Sequence, residues 1–154
     1  MTPKPDPDGR PGLGRPVPVR VLVVEDFVPF RQFICSTLAS LDLQVIGNVS
    51  DGLEAVQKAQ ELQPDLILLD IGLPTLNGIE AARQIRDLAP KSKIIFLTQE
   101  SSTDVAREAL SLGVSGYVVK TKAGSELSTA VVAVLLGETF VGALCCNRQL
   151  HHPA

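Results

Sequence analysis

Positive charge is in short supply in this chain. Its 14 Lys and Arg stand against 17 Asp and Glu, for a net charge of −3 at neutral pH. Nonspecific nucleic-acid binding depends on a basic surface, so this balance argues against it. A partner that reads shape or a local patch stays open. No apolar run approaches the roughly 18–20 residues of a transmembrane helix. The stretch from Met1 to Pro18 has no apolar segment of the signal-peptide kind. These absences predict a cytosolic (cytoplasmic) protein without a membrane partner. Cysteine is sparse as well. Cys35, Cys145 and Cys146 are an odd set without metal-ligand spacing. Cys35 falls on the apolar face of a predicted helix and reads as a buried reduced thiol. Adjacent Cys145 and Cys146, and the terminal His151 and His152, read as tail. No internal repeat is present.

What remains is an ordinary globular composition, 45% hydrophobic and 20% charged over 154 residues, enough for one domain with one core. Residues 1–18, rich in proline and glycine, cannot bury enough apolar surface to fold and read as a disordered leader. From Val19 to Gly137, apolar runs alternate with segments of helical period. Strands are predicted at Arg20–Val24, Leu43–Val49, Asp65–Leu69, Lys93–Leu97 and Gly116–Val119. Helices are predicted at Phe27–Ser40, from Asp51 to Leu62, from Asn77 to Leu88, from Ser101 to Leu112, and at Gly124–Leu136. Asp51 with Glu54, and Asn77 with Glu80, carry helix-start signatures. Gly113 and Gly137 read as stops. Residues 138–154 read as a tail or linker remnant.

Five strand–helix units with continuously apolar strands predict a doubly wound α/β fold with a parallel sheet covered on both faces. Two strand orders qualify: the dinucleotide-binding order and the flavodoxin-like order 2-1-3-4-5. Ligands of such folds bind outside the carboxyl ends of the strands, at the switch point. Reactive residue types stand at those ends. Strand one is followed by Glu25 and Asp26, and strand three by Asp70. Strand four is followed by Thr98 and strand five by Lys120. Each residue alone is a common turn or surface residue; their joint placement singles them out.

Three carboxylates in one crevice repel one another, and without a counter-charge a pKa has to rise. A hard divalent cation resolves this, and Mg²⁺ takes oxygen ligands. Lys120 adds a second positive charge. A carboxylate facing Mg²⁺ and an ammonium is placed to attack a phosphoryl group, with charge on the equatorial oxygens stabilised by both and by the Thr98 hydroxyl. The product is an acyl phosphate on Asp70.

The matching residues also carry a family resemblance. Val21-Leu22-Val23-Val24-Glu25-Asp26, Leu68-Leu69-Asp70-Ile71-Gly72-Leu73-Pro74, Asn77-Gly78, Leu97-Thr98 and Gly116-Tyr117-Val118-Val119-Lys120 resemble the receiver domains of bacterial two-component response regulators. The resemblance spans about Val19 to Gly137. It implies the flavodoxin-like (βα)5 fold, with five strands in the order 2-1-3-4-5. It implies Asp70 as the phosphoacceptor, with Asp26 and Asp70 as direct Mg²⁺ ligands. Glu25 would act largely through water, and the Gly72 backbone carbonyl would be a third protein ligand. Thr98 and Tyr117 would form a switch pair, Tyr117 turning inward as Thr98 moves to the phosphoryl group. That movement would repack the face made by helix four, strand five and helix five. The implied partners are a histidine kinase or phosphotransfer protein and, on phosphorylation, a second copy of the chain.

Departures from the commonest pattern are Thr121 after Lys120, Gln99 after Thr98, Gly72 two residues past Asp70 and Glu100 two past Thr98. The bulk of Gln99 narrows access to Asp70 and predicts a changed phosphotransfer rate, while Gly72 and Glu100 flank the path of an attacking water and predict an altered acyl-phosphate lifetime. The stretch Ala106–Phe140 resembles receivers joined to a helix-turn-helix DNA-binding domain, and too few residues follow Phe140 for one. Alternatives stay open: a receiver-fold interaction module with weak phosphorylation, or part of a transcriptional regulator. A dehalogenase-type phosphatase would need a second acid where Gly72 stands. A flavin or dinucleotide binder would need a Gly-rich loop after strand one, and Glu25-Asp26-Phe27-Val28-Pro29 is none. The expectation is a switch rather than an ordinary enzyme, its chemistry limited to self-phosphorylation and self-dephosphorylation.

Overall fold

The computed structural model describes residues 17–99 and 103–142. The elements in chain order are β1 (Arg20–Val24), α1 (Val28–Ser40), β2 (Gln44–Val49), α2 (Gly52–Leu62), β3 (Leu66–Asp70), α3 (Gly78–Leu88), β4 (Lys93–Thr98), α4 (Thr103–Ser111), β5 (Gly116–Val119), α5 (Ala123–Leu135) and β6 (Phe140–Val141). A 3₁₀ turn at Lys120–Lys122 joins β5 to α5. The six strands form one parallel sheet in the order β2-β1-β3-β4-β5-β6. The expected flavodoxin-like order is therefore present, extended by a sixth strand.

Side-chain alternation along the strands divides the core in two. Leu22, Val24, Ile67, Leu69, Ile94 and Phe96 face α2, α3 and α4. Val21, Val23, Leu66, Leu68, Ile95, Leu97 and Val118 face α1 and α5, meeting Ile34, Leu38, Leu127 and Val131. Every residue of β3 is buried, as a central strand requires, whereas β2 at the edge is largely half-exposed. Each fully buried Leu, Ile or Val contributes about 1.5–3 kcal/mol relative to exposure, so the two layers dominate stability.

Local chemistry sets the helix ends. The Glu54 amide donates to Asp51 Oδ1 at 2.8 Å, and the Glu80 amide to Asn77 Oδ1 at 3.0 Å. Gly113 and Gly137 adopt left-handed φ values of 83° and 94° and turn the chain out of α4 and α5. Gly78 has a different reason to be glycine. Its amide donates to the Ile71 carbonyl at 2.7 Å, and a Cβ there would collide with the Asp70 carbonyl. The start of α3 is thus pressed against the carboxyl end of β3.

Several boundaries differ from expectation. Helix α5 begins one residue early, at Ala123 directly after the 3₁₀ turn, and β3 is shifted by one residue to Leu66–Asp70. The sixth strand was not expected, since two residues are too few to show an alternation. It is held to β5 by the Phe140 amide on the Ser115 carbonyl and the Gly142 amide on the Tyr117 carbonyl, at 3.0 and 3.3 Å. Cys35 is half-buried rather than fully buried, its thiol 3.5 Å from Asn48 Oδ1. The helix-start signal at Ser101 and the tail residues Cys145, Cys146, His151 and His152 lie outside the described residues.

Candidate functional site

Three strands deliver three charges to one place. Val24 pairs with Leu69, Asp70 with Leu97 and Leu97 with Val118, so Glu25 and Asp70 emerge side by side on β1 and β3, and Lys120, two residues past Val118 on β5, reaches back to them across the end of β4. All three share the strand phase of the layer that faces α1 and α5. The Lys120 ammonium lies 2.9 Å from Glu25 Oε2 and 3.3 Å from Asp70 Oδ2. Glu25 Oε2 also accepts from the Phe27 amide at 3.1 Å, which fixes the turn into α1. Asp70 Oδ1 accepts from the Gly72 amide at 3.0 Å.

Glu25 is completely buried, Asp70 is 4% exposed, and Asp26 is open to solvent. The three carboxylates offer oxygen atoms within 4.8 Å of one another. Burial, first of all, pushes the Glu25 carboxyl above the usual carboxylate range; the neighbouring Asp70 charge adds to this and Lys120 opposes it. The Asp70 carboxyl is also pushed up by burial, and the Asp26 charge adds to it. Lys120 and the Gly72 amide pull it back. One ammonium therefore does not neutralise the cluster. Glu25 Oε1 is buried with no hydrogen-bond partner. An orphaned carboxylate oxygen costs on the order of 1–3 kcal/mol, and a hard cation with its waters is the chemistry that would satisfy it.

Beside the cluster opens a cavity of about 460 Å³ lined by Asp26, Phe27, Asp70, Ile71, Gly72, Thr98, Gln99 and Lys120. Glu25 sits beneath it rather than on its wall. A Cβ on Gly72 would meet only Asp70 Oδ1, at 3.9 Å, so the space beside the Asp70 carboxylate is open. Thr98 is 3% exposed. The structure thus brings Glu25, Asp26, Asp70, Gly72, Thr98 and Lys120 together. Tyr117 stands apart from the cavity. It is fully buried among Phe96, Ala106 and Val119, in the layer whose strand phase Thr98 shares. Its ring is already inside the protein, so there is no exposed ring to turn inward.

One neighbour was not anticipated as part of the site. The Phe30 ring, on the first turns of α1, lies 5.0 Å from the Lys120 ammonium. In the sequence Phe30 reads only as an apolar position of a helix, and its spacing carries no sign of a charged neighbour.

Residues 21–132 match the family model of the response regulator receiver domain. The chain is 36% identical over 122 residues to the response regulator protein VraR of Staphylococcus aureus, covering 79% of this chain and 58% of that protein. It therefore spans little more than half the length of that relative. A two-component response regulator of the LuxR family from Aurantimonas superposes with a TM-score of 0.81 at 26% identity, covering 90% of this chain and 100% of that one. The receiver domain of a sensor histidine kinase from Pseudomonas aeruginosa, solved with magnesium coordinated in its active-site cleft, superposes with a TM-score of 0.68 at 31% identity over 79% of this chain and 100% of that one. No described helix is long and apolar enough to cross a membrane.

Proposed function

Because the chain belongs to the response regulator receiver domain family, we propose that Asp70 accepts a phosphoryl group from a histidine kinase or phosphotransfer protein in a Mg²⁺-dependent step. The observation that carries this reading is the Lys120 ammonium bridging Glu25 and Asp70 at the edge of an open cavity that Asp26 also lines. An Asp70 carboxylate oxygen attacks the phosphorus. The bond from phosphorus to the donor's nitrogen or oxygen breaks, and the donor leaves with that electron pair. Lys120 and the Thr98 hydroxyl face the phosphoryl oxygens and stabilise their charge. Glu25, Asp26, Asp70 and the Gly72 carbonyl would hold Mg²⁺, which supplies Lewis-acid stabilisation of the same oxygens. Support comes from the orphaned Glu25 oxygen and from the magnesium-bound relative. On this reading the chain acts as a switch, its chemistry being the gain and loss of this phosphoryl group, in keeping with its receiver-domain family.

Output would run through Thr98 and Tyr117 to the surface of α4, β5 and α5. With the Tyr117 ring already buried, phosphorylation would hold this arrangement rather than create it, a shift of population between two packings. A partner in the cytoplasm, or a second copy of the chain, would read that surface. A second reading is favoured by likeness to a DNA-binding response regulator of the LuxR family from Staphylococcus aureus: the chain is the receiver portion of a transcriptional regulator. Treatment with acetyl phosphate tests the chemistry. The expected product forms only with Mg²⁺ and is cleaved by hydroxylamine, as an acyl phosphate is. A product that is stable to hydroxylamine, or that forms equally without Mg²⁺, would refute it.

A further inference from the structure

Lys120 has more holding it than its two carboxylates. Its ammonium lies 2.9 Å from Glu25, 3.3 Å from Asp70 and 5.0 Å from the centre of the Phe30 ring. An ammonium within about 6 Å of an aromatic centroid is attracted by the negative face of the ring. The ring itself is held. Phe30 packs against Phe33 with centroids 5.6 Å apart and planes tilted by 30°. The next residue, Arg31, donates from its guanidinium to the Glu25 carbonyl and to Ser50 Oγ, each at 3.2 Å. The first turns of α1 are thereby tied to the exit of β1, the strand that delivers Glu25. Strand phase explains why the ring and the ammonium meet, since Lys120 emerges on the sheet face that α1 covers.

A lysine stem carries four rotatable bonds, and its head is strongly hydrated. The side chain nonetheless remains only 12% exposed. The ring adds a third contact to the two carboxylates, on a side chain that also borders the cavity. We infer that Phe30 is a positioning residue for the phosphorylation chemistry: its ring holds Lys120 between Glu25 and Asp70, where the ammonium meets the incoming phosphoryl oxygens. This inference rests on the reading of Asp70 as phosphoacceptor.

Two measurements test it. In metal-free protein without phosphodonor, ring current from Phe30 shifts the Lys120 ε-methylene protons upfield in the NMR spectrum. The shift persists in Phe30→Tyr and disappears in Phe30→Leu. With acetyl phosphate and Mg²⁺, Phe30→Leu gains its phosphoryl group about three- to tenfold more slowly, the rate equivalent of a partly desolvated cation–π contact. Phe30→Tyr restores the rate, and Phe30→Leu has no further effect when added to Lys120→Met. A merely structural role for Phe30 would slow the double variant by the same factor as the single one. Unshifted Lys120 protons in the unmodified protein, or a Phe30→Leu rate equal to the unmodified rate, would overturn the inference. The proton shift needs no variant, so a Phe30→Leu protein that fails to fold does not protect the inference. If the unmodified protein gains no phosphoryl group at all, the Asp70 reading and the rate effect fall together, while the proton shift still reports the contact itself.

Discussion

Arg20 and Asp65 stand at the amino-terminal ends of β1 and β3, and Glu25 and Asp70 at the carboxyl-terminal ends of the same two strands. At the first end Arg20 and Asp65 are both paired. The Arg20 amide donates to Asp65 Oδ2 at 2.8 Å, and the Asp65 amide returns a bond to the Arg20 carbonyl at 2.9 Å. The Arg20 guanidinium reaches the Leu62 and Gln63 carbonyls at 2.8 and 3.0 Å, satisfying the end of α2. Nearby, the Ser92 hydroxyl donates to the Pro64 carbonyl at 2.6 Å. At the other end two buried carboxylates share one ammonium, and one oxygen has no partner. The first arrangement lowers the free energy of the fold. The second raises it, and the excess negative charge is what a cation and a phosphoryl group would use. The same sheet is thus resolved at one end and held under electrostatic stress at the other.

The sharpest way to break this comparison is to remove the ammonium that the two buried carboxylates share. Lys120→Met leaves Glu25 and Asp70 buried and unpaired, and should cost about 3 kcal/mol of stability at pH 7. The cost should shrink toward pH 5 as the carboxyls protonate. Urea unfolding at both pH values measures it, and equal losses would contradict the assignment of charge. Arg20→Ala at the resolved end should cost about 1 kcal/mol. Its cost should be the same at pH 5 and pH 7, and phosphorylation should be unchanged.

The third test works in the opposite direction. Asp70→Asn should stabilise the metal-free protein at pH 7, by on the order of 1 kcal/mol. The sign follows from linkage. Burial raises the Asp70 pKa in the folded state, so the folded protein holds that proton more tightly than the unfolded chain. The corresponding stability is present below the ordinary carboxylate pKa and is lost as pH rises through the raised one. The gain from Asp70→Asn should therefore fade with acidification. Mg²⁺ should raise the melting temperature of the unmodified protein more than that of the variant. The smallest effect concerns the open space beside Asp70. Gly72→Asn would place a polar side chain there and should change the decay rate of the acyl phosphate; an unchanged rate would remove Gly72 from the account.

Much of the stressed end was legible in the sequence, because each reactive type directly follows an apolar strand and the doubly wound order brings those ends together. Helix starts at Asp51 and Asn77 were legible for the same local reason, a side-chain oxygen within reach of an amide three residues on. Phe30 was not, since an aromatic residue at helical spacing looks the same whether it meets a leucine or an ammonium. The burial of Tyr117 depends on packing around α4, which no local pattern states. Neither does β6, whose pairing with β5 depends on the left-handed turn at Gly137.

The central claim is that Asp70 carries the phosphoryl group. Intact mass spectrometry after incubation with acetyl phosphate and Mg²⁺ tests it most directly. A gain of one phosphoryl mass is expected in the unmodified protein and none in Asp70→Asn. No gain in the unmodified protein, or an equal gain in Asp70→Asn, would contradict it.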